Sequence, residues 1–236
     1  MSKRPPLLKI ESGRHFYRAL KVELDGNGDR AYTATDPNPF LGVEFLSDIR
    51  AKYDDGSVVY GRFAPFRSNG KAVPALYMAP TKETAYFEAV LRPLASSAGT
   101  TLSSNEFKNL AVATISFDKE LSFADCRAAY LKGGAEAFWD VSFEELFNKS
   151  QIKSLDAART LAKYIHETYP DVDGLVWDSV QQNGIVPVYI LFGPKRTANI
   201  HSEVNALSDI PTWKPYLHQS VANGHLTISS DLAALL

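Results

Sequence analysis

At 236 residues, with 45% hydrophobic and 22% charged side chains, the chain is ordinary for a globular domain, which excludes fibrous and disordered classes. Its length leaves one large domain or two small ones open, and a domain of this size buries roughly 70–75% of its unfolded surface, so no staple is needed. A formal net charge of −2 provides no positive field to neutralise the phosphates of a duplex, which argues against direct binding to nucleic acid.

Residues 1–13 read as an amino-terminal arm, with Pro5 and Pro6 opposing regular structure. His15 to Leu24 alternate as a strand does, and Asp25-Gly26-Asn27-Gly28-Asp29 reads as a turn. A loop and then a short helix are expected near Gly42 to Lys52. Val58 to Phe63 and Ala75 to Met78 read as strands, separated by a turn at Arg67-Ser68-Asn69-Gly70-Lys71. A helix follows, with Thr81 as its N-cap, Glu83 at its positive end and Pro93 as its stop.

Leu110 to Phe117 is the clearest strand, because Val112, Thr114, Ile115 and Phe117 favour extended backbone. Residues 122–150 read as loop and helix. Leu155 to Tyr169 reads as a helix, since Leu155, Ala158, Leu161, Ala162 and Ile165 recur at helical spacing. Asp171 to Trp177 and Val186 to Phe192 read as buried strands, and the remainder carries turn signals and one more strand at His225 to Ile228. Strands dominate without a regular strand–helix alternation, so the expected fold class is α+β, in a single domain over residues 14–236.

Several motifs fail. Asp25, Asn27 and Asp29 begin like a calcium loop, but Arg30 stands where the turn glycine belongs and Asp36 where the bidentate glutamate belongs. His166-Glu167 lacks the second histidine of a zinc helix. No G-x-S-x-G, G-x-G-x-x-G or Walker sequence is present, so a nucleotide here binds by some route other than a glycine-rich loop. Cys126 is the one cysteine, which excludes an intrachain disulfide and a multi-cysteine zinc site and fits a reducing compartment. The amino end carries no apolar run of signal length, and no stretch approaches the roughly 20 apolar residues of a membrane helix. A soluble protein made in the cytoplasm, with no membrane partner, is the expectation.

Five segments in order resemble the RES-domain family. They are Phe16-Tyr17-Arg18-Ala19-Leu20, Gly61-Arg62-Phe63, Ala75-Leu76-Tyr77-Met78-Ala79, Thr84-Ala85-Tyr86-Phe87-Glu88-Ala89 and Gly174-Leu175-Val176-Trp177-Asp178-Ser179-Val180. The family's named arginine, glutamate and serine fall on Arg18 or Arg62, on Glu88 and on Ser179, and its accompanying tyrosine on Tyr77. The resemblance spans roughly residues 14–195, with an extension after about 200. Phe63 and Ala64 depart from the tryptophan and asparagine usual there.

The resemblance implies a fold like that of ADP-ribosyltransferases and a site that cleaves the nicotinamide–ribose bond of NAD. NAD is then a substrate rather than a bound cofactor, and no metal is implied. Family members degrade NAD with water or phosphate, or pass ADP-ribose to a protein. Toxin members are commonly paired with a small helix-turn-helix antitoxin that covers the site, so an antitoxin or immunity protein is an expected partner.

The residue types suit that chemistry. A carboxylate stabilises the positive charge that develops on the ribose, which fits Glu88. A planar guanidinium fits the pyrophosphate, which suits Arg18 and Arg62. Tyr77 can stack on the nicotinamide ring, and Ser179 can hydrogen-bond a carboxamide or a ribose hydroxyl. Each has a plainer alternative: a Glu88–Arg92 surface pair, a snorkelling Arg18, a strand-end charge at Arg62, core packing for Tyr77 and a turn role for Ser179. Glu83 and Arg67 read as solvated charges. An NAD-degrading enzyme, a transferase acting on one specific protein, and a non-catalytic binding module on the same fold are the readings carried forward. The enzyme readings require Arg18, Arg62, Tyr77, Glu88 and Ser179 to converge.

Overall fold

The computed structural model describes residues 4–22, 26–27, 33–36, 43–44, 52–53, 61–91, 101–127, 152–179, 186–193, 198–222 and 227–236. Its strands in chain order are β1 (Leu7–Ile10), β2 (Phe16–Lys21), β3 (Val43–Glu44), β4 (Lys52–Tyr53), β5 (Arg67–Ser68), β6 (Lys71–Ala72) and β7 (Ala75–Met78). They continue as β8 (Thr101–Leu102), β9 (Leu110–Phe117), β10 (Leu121–Asp125), β11 (Gly174–Asp178), β12 (Pro187–Phe192), β13 (Ala198–Asn205) and β14 (Thr227–Ile228). The α-helices are α1 (Lys82–Tyr86), α2 (Asn105–Lys108), α3 (Ile152–Thr168), α4 (Ile210–Ala222) and α5 (Ser230–Ala233).

Two sheets organise the chain. The larger runs β1-β10-β11-β12-β7, antiparallel except for the β10–β11 pair, and the smaller runs β13-β9-β2, antiparallel throughout. This is the α+β class expected. Strand alternation sends successive side chains to opposite faces, and the fold uses both faces of each sheet. Along β9, Ala111, Ala113, Ile115 and Phe117 enter the core between the sheets, while Leu110 and Val112 enter the core on the far side.

Three cores result, in the order helix, sheet, sheet, helices. Ala158, Leu161, Ala162 and Ile165 of α3 pack on Leu175, Trp177, Ile190 and Phe192 of the larger sheet. Between the sheets, Phe16 and Leu20 of β2 meet Leu76, Met78, Val176 and Tyr189. Beyond the smaller sheet, Ala85 and Tyr86 of α1 join Phe107 of α2 and Trp213 and Leu217 of α4. Phe107 and Trp213 stack there with centroids 4.1 Å apart.

Ala75–Met78 and Leu110–Phe117 fold as the strands expected, and the Arg67–Lys71 turn is a hairpin turn with φ of 50° at Asn69 and 74° at Gly70. That positive φ at both central residues is why Asn-Gly stands there.

Other expectations are corrected. The arm contains β1, which pairs with β10 at the sheet edge; Pro6 precedes it and its carbonyl accepts the Asp125 N–H at 2.9 Å. The helix expected near Gly42 to Lys52 has strand at both ends, since Val43–Glu44 pairs with Lys52–Tyr53; residues 45–51 lie outside the described residues. Gly61 to Phe63 is a bend rather than a strand, and residues 58–60 lie outside the described ones. Residues 122–125, at the start of the stretch read as loop and helix, belong to β10 because pairing on both sides supplies what local pattern lacked. The last stretch holds β13 and α4, neither expected. β13 is largely exposed and is held by its ladder to β9, so it shows no hydrophobic alternation. Pro211 and Pro215 lie inside α4; Pro211 falls in the first turn, where its missing N–H removes no helical bond.

Among the described residues no helix is long and apolar enough to cross a membrane.

Candidate active site

Glu88 is carried by the helix that Thr81 starts. The Thr84 N–H donates to Thr81 Oγ1 at 3.2 Å, and helix follows from Lys82. After Tyr86 the chain widens into a π turn, Phe87–Leu91, which contains Glu88. Such turns recur at functional sites because they rephase the side chains that follow. Thr84, Ala85 and Tyr86 are buried and Glu88 is half-buried, so the carboxylate stands on the rim of a core face. Arg92 and Pro93 lie outside the described residues.

A second anchor sits two residues before Glu88. The Tyr86 hydroxyl donates to Asp209 Oδ2 at 3.0 Å, and Lys82 Nζ lies 3.7 Å from the same oxygen. Asp209 also accepts from Thr212 Oγ1 at 2.8 Å, at the start of α4. Burial, reinforced by the Asp209 charge, holds the Tyr86 phenol well above its ordinary pKa, so it stays a hydrogen-bond donor. The carboxy-terminal segment therefore fixes the helix that presents Glu88. Sequence reading missed this, because nothing local links Tyr86 to a carboxylate 123 positions away.

Ser179 follows β11 directly. Its N–H donates to the Val186 carbonyl at 2.7 Å, prolonging the β11–β12 ladder by one step. Its side chain is fully buried, and its hydroxyl donates to Glu88 Oε1. The two residues are 91 positions apart, and their direct contact brings together two of the five residues singled out in the sequence. The Ser179 hydroxyl is thus placed to orient the carboxylate.

Tyr77 lies on β7, half-buried, with its ring edge-on to Trp177 at 6.1 Å. Its hydroxyl accepts the Phe63 N–H at 3.4 Å, at the limit of hydrogen-bond range. That contact joins Tyr77 to the bend bearing Arg62. The bend is tight: a Cβ on Gly61 would stand 2.0 Å from the Ala64 carbonyl oxygen and 3.4 Å from the Tyr77 hydroxyl. Arg62, in the middle of it, is 7% exposed. Phe63 and Ala64, the two departures from the family pattern, are fully buried in the core against α3, where Phe63 packs on Trp177 at 4.8 Å. The substitution of phenylalanine for tryptophan falls in that packing.

Arg18 sits on β2 with 3% exposure, facing the core between the sheets. β2 reaches the site through paired bonds between Tyr17 and Ala79, at 2.8 and 2.9 Å, just after Tyr77. The Arg18 guanidinium does not snorkel. Its Nη1 donates to the Ala34 carbonyl at 2.7 Å and to that of Asp36. It clamps the backbone of the segment at 33–36. Arg67, read as a solvated charge, is half-buried and donates within its own hairpin, to the Gly70 carbonyl at 3.0 Å.

The structure thus gives two linked groups: Ser179 with Glu88, and Tyr77 with both Trp177, two residues before Ser179 on the chain, and the Phe63 N–H, next to Arg62; β2, which carries Arg18, bonds to Ala79 just after β7. An oriented carboxylate, a guanidinium and an aromatic ring suit a ligand with developing positive charge at one point and phosphates at another. Among the described residues no three His, Cys, Asp or Glu side chains gather as a metal would require. Arg159, fully buried on α3, was not singled out in the sequence; its Nε donates to the Gly61 carbonyl at 3.0 Å.

The family model for the RES domain matches residues 48–213. No curated protein and no solved structure matches the chain. The matched stretch contains four of the five segments singled out in the sequence, together with β13 and the start of α4; the segment Phe16–Leu20 precedes it. With well over half its length matched, the chain belongs to the RES domain family.

Proposed function

We propose that the protein consumes NAD by breaking the bond between nicotinamide and ribose, on a fold of the ADP-ribosyltransferase kind. The observation that carries this reading is the Glu88 carboxylate held by the buried Ser179 hydroxyl, two residues along the chain from the Trp177 on which Tyr77 packs. As the bond breaks, its electron pair leaves with nicotinamide and positive charge grows on the ribose. Glu88 stabilises that charge, and because Ser179 holds it in place, little reorganisation accompanies the step. Tyr77 holds the nicotinamide ring and Arg62 the pyrophosphate. Arg18 holds the 33–36 segment through its Nη1, and its guanidinium is the second group suited to the pyrophosphate. Water or phosphate then takes the anomeric carbon.

Pure protein mixed with NAD should release nicotinamide. ADP-ribose would then mark hydrolysis, a phosphorylated ADP-ribose formed only in phosphate buffer would mark phosphorolysis, and a labelled protein would mark transfer. No nicotinamide release under any of these conditions sinks the reading and leaves the binding-module alternative.

The reading includes growth inhibition in the producing cell and a neutralising partner that covers the Glu88 end of the sheet. High-level expression of the chain alone should arrest growth, and Glu88→Gln should relieve the arrest. Normal growth beside undiminished NAD turnover counts against a toxin.

A further inference from the structure

We propose that Arg159 is a positioning residue of the site, holding the Gly61 carbonyl so that the Arg62 guanidinium keeps a single placement. This rests on the NAD chemistry proposed above. Arg159 is on α3, between Ala158 and the Leu161–Ala162 pair that pack the helix onto the larger sheet. It is 1% exposed, the bulkiest fully buried side chain among the described residues. Burying a guanidinium is costly unless its donors are met, and a methionine or leucine would fill such a space at lower cost. The charge is retained where it reaches a backbone oxygen: Nε to the Gly61 carbonyl at 3.0 Å, 98 positions away in the chain.

That carbonyl belongs to the peptide that leads into Arg62. Gly61 is already pressed against the Ala64 carbonyl and the Tyr77 hydroxyl, and the Phe63 N–H is taken by Tyr77. Arg159 therefore fixes one side of the bend and Tyr77 the other, with Arg62 between them. A guanidinium is suited to this, because its planar fork is rigid where an ammonium is a single point on a flexible stem. Freed of this bond, the bend loses a polar anchor, and Arg62 no longer meets a pyrophosphate in one orientation.

The test uses the full chain with Arg159→Met and Arg159→Lys. Arg159→Met should raise the KM for NAD more than it lowers kcat, because a pyrophosphate contact serves ground and transition states alike. The fall in kcat/KM should be on the order of 10²-fold, the scale for misplacing a group by about 1 Å. Arg159→Lys should lie between Arg159→Met and wild type. In an Arg62→Ala background, Arg159→Met should add almost nothing, since it acts through the residue already removed.

Amide hydrogen exchange across residues 61–66 should quicken in both variants while β9 stays protected. Losses that multiply in the double variant, or unchanged exchange across 61–66, overturn the proposal. Should Arg159→Met not fold, Arg159→Lys decides alone, and wild-type KM and exchange there overturn it. If the wild-type chain releases no nicotinamide, the catalytic reading falls by itself, and the exchange measurement still decides whether Arg159 holds the bend.

Discussion

Replacing Glu88 by glutamine is expected to cut NAD turnover by on the order of 10²–10³-fold, the range for removing one preorganised electrostatic group. Glutamine keeps the size of the side chain and an oxygen at the same place, so the Ser179 hydroxyl still has an acceptor. What goes is the charge that meets the developing cation. NAD affinity should move far less, because an interaction made in the transition state adds little to ground-state binding. The sequence suggested a surface ion pair as the plain alternative, whose loss would leave stability unmoved. The bond from a fully buried serine changes that expectation. A hydrogen bond to a charged group contributes about 1 kcal/mol more than one between neutral groups, so melting should fall by about 2–4 °C. Wild-type turnover in this variant would remove Glu88 from the mechanism. A fall in melting far beyond that range would make it a structural carboxylate.

Gly174→Ala is expected to have the largest effect on stability of any single methyl addition among the glycines with described surroundings. A Cβ at Gly174 would stand 1.8 Å from the Ile190 carbonyl oxygen and 2.8 Å from its carbon, both backbone atoms. Gly174 opens β11 and pairs with Leu191, in the middle of the larger sheet, so neither strand can retreat without disturbing a core on each face. Overpacking of this kind costs about 3 kcal/mol, the upper end of its usual range. In a chain of this length that corresponds to a melting temperature lower by roughly 6–12 °C. Because β11 delivers Ser179 to Glu88, turnover should fall as well, and more than in a variant equally destabilised at a distance from β11. A melting temperature within 2 °C of wild type, using the ~2–4 °C per kcal/mol scale, would show that the sheet yields there.

Several features of this protein were decided locally and were legible without coordinates. Thr81 caps a helix because its hydroxyl reaches an N–H three residues on. Asn69-Gly70 turns a hairpin because both residues accept positive φ. Ala75–Met78 and Leu110–Phe117 announce themselves by residue type. The order of five short segments carried the family, and four of those segments lie within the stretch the family model matches. In each case the determining interaction spans a few residues, or is a pattern of side chains along one element.

Only the tertiary structure shows which groups the candidate residues meet. Ser179 reads as an isolated hydroxyl until its burial and its bond to Glu88 are seen. Arg18 reads as a lone strand cation until its guanidinium is found on the carbonyls of Ala34 and Asp36. Arg159, in a helix recognised from its apolar spacing, carries no local sign of its partner 98 residues away. Asp209 and β13 lie in a stretch that reads as turns, because one acts through Tyr86 and the other is held by pairing with β9 rather than by burial. A side chain's type and neighbours set the bonds it can make. Which bond it does make depends on the group the fold brings within about 3 Å, and for these residues that group comes from a distant part of the chain.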